Sequence, residues 1–381
     1  MRVIIVGAGF AGISAVRRLL SAGSPNISVQ LFEPNDYTTI LPALPDYIGS
    51  DFDSSLITIP ISQLIPCGVC HIKNRVEAIY LKERKIISGA DSYTYDYLVI
   101  AAGSTTNFFG FDRHLDLVYT LSSYNEAQRL KNAFEIYLET NKKPHVVIVG
   151  AGYTGIELAF NLIVRANETG KKIDVSLVET QDKIMAPLSV PQRSYVEKLL
   201  VRYGIKTYTG TRIVSFDGTT VSLATGELLD NVFLCWTAGT KMAVPSIVGK
   251  YDSLPDGRIK IGASLSIPEY PEVFVAGDCA AVAHKGNWLR KAVHFSIYSG
   301  ITAATNVVNS IRNQPLVPFR PVDLGWILPL RVTSVGKLLG RIPVRGKIGM
   351  RMHYMMCGLR NYTLENKKAF LYKSLTFTQK E

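Results

Sequence analysis

"VVIVGAGYTGIELAF", residues 146–160, joins an apolar β-branched run to closely spaced glycines and then to a helix-forming stretch. A near copy, "MRVIIVGAGFAGISAV", occupies residues 1–16. Each apolar run suits a buried parallel strand. Gly7, Gly9 and Gly12 in one copy, and Gly150, Gly152 and Gly155 in the other, share the spacing G-x-G-x-x-G. The first glycine permits a tight turn, the second lets a pyrophosphate approach the backbone, and the third lets helix pack on strand. The helix then aims its N-terminal amides at the phosphates.

Both copies continue to a second strand ending in an acid. "ISVQLFE" ends in Glu33, 21 residues after Gly12, and "DVSLVE" ends in Glu179. A carboxylate at that point accepts ribose hydroxyls. At Glu179 it also disfavours the extra phosphate of NADPH, so NADH is expected there, with Lys183 close enough to keep NADPH open. A lone glycine turn is a weak signal. Two complete units in one chain point to two bound dinucleotides.

Composition sets the other bounds. At 381 residues the chain is long enough for two or three domains, nearly half of it is apolar, and no tract reads as disordered. With a first strand at Arg2, no leader is expected. No apolar stretch approaches the ~18 residues of a membrane span. The five cysteines, Cys67, Cys70, Cys235, Cys279 and Cys357, are too scattered for a disulfide framework. Cys67 and Cys70 form a C-x-x-C pair with no partner residues for a redox or metal role, and no metal site is expected. The net charge is +11, and twelve Lys/Arg against three Asp/Glu fall between residues 316 and 381. An anionic partner is therefore expected at the tail. No nucleic-acid motif accompanies this charge, and nucleic acid is not an expected partner.

A third signature follows. "YDYLVIAAGST" ends a strand at Ala102-Gly103, "FLCWTAGT" ends another at Gly239, and "PEVFVAGDCA" runs into Gly277-Asp278. Together these resemble the two-dinucleotide-binding-domain flavoproteins, over roughly residues 1–310. The resemblance implies FAD on the first turn, with Asp278 at the ribityl–phosphate part, and NADH on the second. It implies hydride transfer from nicotinamide to flavin, the protein supplying position and electrostatics.

Cysteine placement bears on where the electrons go next. "PNDYTTILPALPDY" lacks the Cys-x4-Cys pair of disulfide reductases and the single cysteine of coenzyme A disulfide reductases. Sulfide:quinone oxidoreductases need two cysteines, and only Cys357 stands near an appropriate place. The chain instead resembles the type II NADH dehydrogenases, which pass electrons from NADH to a quinone without pumping protons. "FEPNDYTTILPALPDYIGS", with Pro42 in its Leu-Pro step, resembles that family's segment after the ribose acid. Glu157 matches a family glutamate beside the nicotinamide, though an acid in a first helical turn is also favoured by the helix dipole. At the quinone end the family's Ala-Gln pair is replaced by Val293-His294. His294 is a candidate hydrogen-bond and proton donor to a quinone carbonyl, Lys291 is an alternative donor, and a packed core histidine is the competing reading. A soluble NADH oxidase, a ferredoxin-type reductase, a sulfide:quinone oxidoreductase-like enzyme and a flavin-bound regulator remain the other functional readings.

The tail alternates apolar clusters with Arg and Lys. Spaced as a helix, "GKIGMRMHYMMCGLRNY" puts Met350, Tyr354 and Cys357 on one side, and Met356 near them. This reads as an amphipathic helix lying on anionic lipid, with homodimerisation compatible. "NKKAFLYKSLTF" reads as a final strand. The expected fold is α/β: two Rossmann-like doubly wound domains, FAD-binding at residues 1–112 and 261–318 and NAD-binding, inserted, at 113–260. A membrane-associating extension is expected at 319–381, placing the protein peripherally on the cytoplasmic face of the cell membrane.

Overall fold

A computed structural model describes residues 1–23, 27–65 and 68–378. The chain forms two compact units, one of Met1–Thr38, Ile59–Thr105 and Thr240–Leu324, the other of Thr39–Thr58, Thr106–Gly239 and Gly325–Glu381. Among the described residues the α-helices are α1 (Phe10–Ser21), α2 (Leu44–Ile48), α3 (Tyr124–Thr140), α4 (Tyr153–Glu168), α5 (Val190–Arg202), α6 (Val293–Ile311), α7 (Gly346–Arg360) and α8 (Leu364–Thr376).

The first unit is built on a six-stranded sheet in the order Ser266–Ile267, Tyr270–Val275, Tyr97–Ile100, Arg2–Val6, Ser28–Phe32, Val69–Ile72. All neighbours are parallel except the outer Ser266–Ile267 pair. Alternation along Arg2–Val6 sends successive side chains to opposite faces. A Cβ on Gly12 of α1 would lie 3.6 Å from the Ile5 side chain, so Ile5 faces that helix. Helix α6 lies against α1 so closely that a Cβ on Gly300 would strike the carbonyl of Ala11. On the other face, Ile4, Val6, Leu98 and Ile100 share a core with Ile79, Leu81 and Ile86. Ile79 and Ile86 belong to a small sheet ordered Ser246–Val248, Ala78–Tyr80, Lys85–Ser88, Asp91–Thr94.

The second unit repeats the plan. Its five parallel strands run Val118–Tyr119, Val232–Trp236, His145–Val149, Asp174–Val178, Ile205–Tyr208. Val147, Val149, Val178 and Leu234 pack on Ile213, Phe216, Val221 and Leu223 from an antiparallel three-stranded sheet. The expected doubly wound arrangement is therefore modified in both units, where a β-layer takes the face that a second helical layer would cover. Short β-branched runs such as "KIIS" can bury one face while the other stays polar, which a crossover helix is not needed to achieve.

The units also divide at different points from those expected. Ser246–Val248 pairs with Ala78–Tyr80, and Ile259–Lys260 pairs with Ala280–Ala281, so residues 240–260 belong to the first unit. Residues 39–58, expected in the FAD domain, pack in the second. The tail is part of that unit too. Its strands Gly325–Pro329, Ser334–Leu338 and Ile342–Arg345 form an antiparallel sheet.

Helix α7 forms where the spacing predicts it, but its expected lipid-facing side is inside the protein. Met350, Tyr354 and Cys357 are all fully buried, and Gly349 meets Ser334 so tightly that a Cβ would run into its hydroxyl. A helix row that fits a membrane fits a core equally well, and the neighbouring sheet takes it. "NKKAFLYKSLTF" is helical rather than a strand. Thr363 caps α8 by accepting from the Asn366 amide at 3.2 Å, and Asn366, Phe370 and Ser374 are buried at four-residue spacing. No described helix is long and apolar enough to cross a membrane.

Candidate active site

The two glycine turns have matching geometry. Gly7 and Gly150 take φ of +99° and +102°, a left-handed conformation natural to glycine alone. A Cβ on Gly12 would strike the Gly7 carbonyl, and one on Gly155 the Gly150 carbonyl. Gly9 and Gly152 instead face open space. The acids are fixed alike. Ala8 N–H donates to Glu33 Oε2 at 3.1 Å, and Ala151 N–H donates to Glu179 Oε2 at 2.9 Å. The second oxygens accept from Asn35 N–H at 3.1 Å and Gln181 N–H at 3.0 Å. A closed turn, an open middle glycine and a tethered carboxylate fit a dinucleotide's pyrophosphate and ribose in each case.

In the first unit, Ala102 lines the Gly7 turn, and Gly103 accepts from the Ala243 amide at 3.1 Å. Gly277 N–H donates to Ser299 Oγ at 2.9 Å, placing Asp278 beside α6. Asp278 accepts from Ser104 Oγ at 3.2 Å and Ser296 Oγ at 3.4 Å. Burial raises its pKa, against the pull of Lys291. Lys291 Nζ donates to Thr240 Oγ1 at 2.6 Å, and burial lowers its pKa against the pull of Asp278. Lys291 and Asp278 thus belong to one polar cluster.

His294, a candidate either for the quinone or for the core, is a buried residue of α6. It is only 5% exposed, its ring centroid lies 4.0 Å from that of Phe295, and its Nε2 is 3.8 Å from Asp323 Oδ1. Arg290 holds the same carboxylate oxygen at 2.6 Å. These surroundings are those of a packed core histidine beside an ion pair. Pro42 lies in the one-turn helix Leu41–Ala43 of the second unit. Gly239 accepts from the Asn107 amide at 3.3 Å and is packed beneath Phe109. Cys67 lies outside the described residues, and Cys70 is exposed.

Around Glu157 the second unit gathers groups that sequence reasoning missed. Asp46 on α2 and His353 on α7 are both buried, with Asp46 Oδ2 2.7 Å from His353 Nε2. Tyr354 donates its hydroxyl to Asp46 Oδ1 at 3.3 Å, and Cys357 Sγ lies 3.8 Å from His353 Nε2. Burial opposes both charges. The charge and hydrogen bond of His353, with Arg331 and Lys373 behind it, nevertheless hold Asp46 below the usual carboxylate range. Cys357 and Asp46 raise His353 well above the ordinary imidazole value. Glu157 is part of the same electrostatic cluster: burial pushes it up to about 8, the His353 charge opposes that rise, and Asp46 adds to it. Its carbonyl accepts from Asn161 Nδ2 at 2.9 Å, and Asn161 in turn leaves no room for a Cβ on Gly49 after α2. The only local signal for this cluster was the four-residue spacing of His353 and Cys357, which says nothing of Asp46.

A family model described as pyridine nucleotide-disulphide oxidoreductase matches residues 1–307. An NADH dehydrogenase-like protein of Mycobacterium tuberculosis is 28% identical over 344 residues, 84% of this chain and 83% of that protein. A type II NADH:quinone oxidoreductase of Staphylococcus saprophyticus is 25% identical over 369 residues, 91% of each chain. In three dimensions the chain is similar to NDH2 from Plasmodium falciparum, with TM-score 0.84, 13% identity, and coverage of 100% of this chain and 99% of that one. With its paired dinucleotide turns and a matching model over most of its length, the chain belongs to the pyridine nucleotide-disulphide oxidoreductase family, whose members are flavin-dependent enzymes that use a nicotinamide dinucleotide.

Proposed function

We propose that this protein oxidises NADH through FAD and passes the electrons to a quinone at a membrane surface, without pumping protons. The observation that carries this reading is two complete dinucleotide turns with, among the described residues, no thiol pair to relay electrons onward. Among the described cysteines, Cys235 and Cys279 are buried and Cys70 is exposed. Burial raises the Cys235 thiol and pushes the Cys279 thiol up to about 12, so neither supplies a thiolate at neutral pH.

FAD on the Gly7 turn supplies the hydride acceptor and the onward electron donor. The chain's own residues do the rest. Glu33 and Asp278 hold the adenosine and ribityl–phosphate ends, and Glu179 holds the NADH ribose. Glu157, protonated at neutral pH, supplies a proton that quinone reduction requires. His294, turned toward Asp323, is assigned to packing, and Lys291 to the Asp278 cluster.

The outer surface of α7 and α8 fits a lipid interface. Ile348, Met355 and Leu359 recur along α7, and Leu364, Leu371 and Leu375 along α8, all exposed. Lys347, Arg351, Lys367 and Lys368 are exposed on the same two helices. Apolar insertion with basic residues nearby is the pattern of a peripheral helix on anionic lipid. This supports a peripheral position on a membrane, which we infer to be the cytoplasmic face of the cell membrane, and a homodimer is compatible with it.

A sulfide-oxidising reading draws on one observation, the contact of Cys357 with His353. Steady-state NADH oxidation with a soluble quinone analogue, oxygen, ferredoxin and sulfide compared separates these readings. Quinone turnover well above oxygen turnover is expected, and equal rates would overturn the assignment.

A further inference from the structure

Resting on the reading of NADH at the Gly150 turn, the strand order of the second unit assigns each end of the dinucleotide a side. Val232–Trp236, His145–Val149 and Asp174–Val178 lie side by side in that order, all parallel, so their carboxyl ends share one edge. Dinucleotides bind across that edge. The pyrophosphate turn follows His145–Val149, and Glu179, the ribose acid, follows Asp174–Val178. With the adenosine on that side, the nicotinamide half must lie on the other, over the end of Val232–Trp236.

The residues beyond that strand close directly on the turn. Thr237 Oγ1 donates to the carbonyls of Val149 at 2.9 Å and Gly150 at 3.2 Å. A Cβ on Gly150 would lie 2.8 Å from Ala238 Cα. Gly239 comes next, and a Cβ there would strike the tip of the Phe109 ring. Contacts therefore run from the Gly150 turn through Ala238 and Gly239 to Phe109, all within the second unit.

The segment around Phe109 is anchored on both sides. Trp236 Nε1 donates to Asn107 O at 3.0 Å, and Asn107 N–H donates to Gly239 O at 3.3 Å. Phe108 and Phe111 pack on Trp236, with ring centroids 5.4 and 5.1 Å away. Phe109 N–H donates to Asn107 Oδ1 at 3.0 Å. Between these anchors Phe109 takes φ of +51°, a left-handed conformation that strains a bulky residue. The residue is nonetheless 69% exposed, so folding gains little from the ring that this strain holds out. We propose that Phe109 is the platform on which the nicotinamide ring of NADH rests. Its flat apolar ring matches a dihydronicotinamide in shape, and aromatic pairs gain from offset or edge contact beyond the area they bury. The adenosine and pyrophosphate, held at Glu179 and at the Gly150 turn, gain nothing from it. A mere cover on the loop would touch neither half of the ligand, and a prop for the turn would affect both halves alike.

The test is calorimetric titration of the flavin-loaded full chain with NAD⁺ and with ADP-ribose, the same molecule without its nicotinamide. Neither ligand reduces the flavin, so binding is read without turnover. Phe109→Ala should weaken NAD⁺ on the order of fivefold and leave ADP-ribose affinity unchanged. Phe109→Tyr, which keeps the ring, should bind both ligands as wild type does. In stopped flow, Phe109→Ala should need correspondingly more NADH for half-maximal anaerobic flavin reduction. Unchanged NAD⁺ affinity in Phe109→Ala overturns the proposal, as does an equal loss for ADP-ribose or a loss shared by Phe109→Tyr. Wild type that binds neither ligand defeats the NADH reading itself, and the wild-type titration alone reveals that failure.

Discussion

His353 and Asp46, 307 positions apart in the chain, meet at 2.7 Å in the interior of the second unit. The distance is that of a charge-assisted hydrogen bond, and each partner's pKa moves in the direction that favours the ion pair. Losing one partner strands the other in a site that water does not reach.

Asp46→Asn is therefore expected to destabilise the second unit by about 3–5 kcal/mol, the cost of an uncompensated buried charge. An Asp46→Leu/His353→Phe double variant should lose less than the two single changes combined. Urea unfolding followed by tryptophan fluorescence measures both. The sign with pH follows from linkage. Asp46, lowered on folding, contributes stability above its unfolded pKa and loses it as pH falls through the folded value. His353, raised on folding, contributes fully below its unfolded pKa and loses it as pH rises through the folded value. The pair should stabilise most at mildly acidic pH.

Glu157→Gln should leave hydride transfer from NADH nearly intact and slow quinone reduction on the order of a hundredfold. Wild-type quinone reduction should fall above about pH 8, where the raised carboxyl ionises, and the variant should lack that fall. Stability has the matching sign. An acid raised on folding costs stability progressively from its unfolded pKa up to the folded one, and Glu157→Gln removes this loss. A wild-type pH profile without the alkaline fall would count against the role of Glu157.

The paired glycines separate binding from folding. Gly9→Ala adds a methyl with no protein atom within 4 Å, so it should leave thermal unfolding of the flavin-free protein unchanged while abolishing flavin binding and the yellow colour of the protein as purified. Gly12→Ala drives a methyl into the Gly7 carbonyl and should reduce both stability and flavin content. Gly152→Ala should give a yellow protein that NADH bleaches poorly. Absorbance spectra with anaerobic NADH titration distinguish the three.

At the tail, Leu359→Glu with Leu375→Glu should abolish sedimentation with anionic liposomes. Because these side chains are 71% and 67% exposed, unfolding temperature should barely change. Neutral liposomes should bind wild type more weakly than anionic ones. Unchanged liposome binding by the double variant would remove the α7–α8 surface from the lipid-docking role.

The two glycine turns, the acids that follow them and the helix α7 were legible because each is local. A strand, a tight turn and a helix N-terminus within some thirty residues carry their own geometric requirements, and few other residues satisfy them. The helical period of α7 was equally plain. What that period could not say was whether Met350, Tyr354 and Cys357 face lipid or protein, since both offer an apolar surface. Only the sheet packed against Gly349 decides it. α8 was misjudged for a related reason: its short apolar alternation suits a strand, and the burial of Asn366, Phe370 and Ser374 along one face is a property of the folded unit. The sequence left His294 open between quinone and core because its surroundings depend on Asp323, 29 residues downstream. The Asp46–His353–Glu157 cluster lay beyond the sequence altogether. Pairing across three hundred residues leaves no periodicity or spacing to read, because the burial and mutual charge that define it exist only once α2, α4, α7 and α8 pack together.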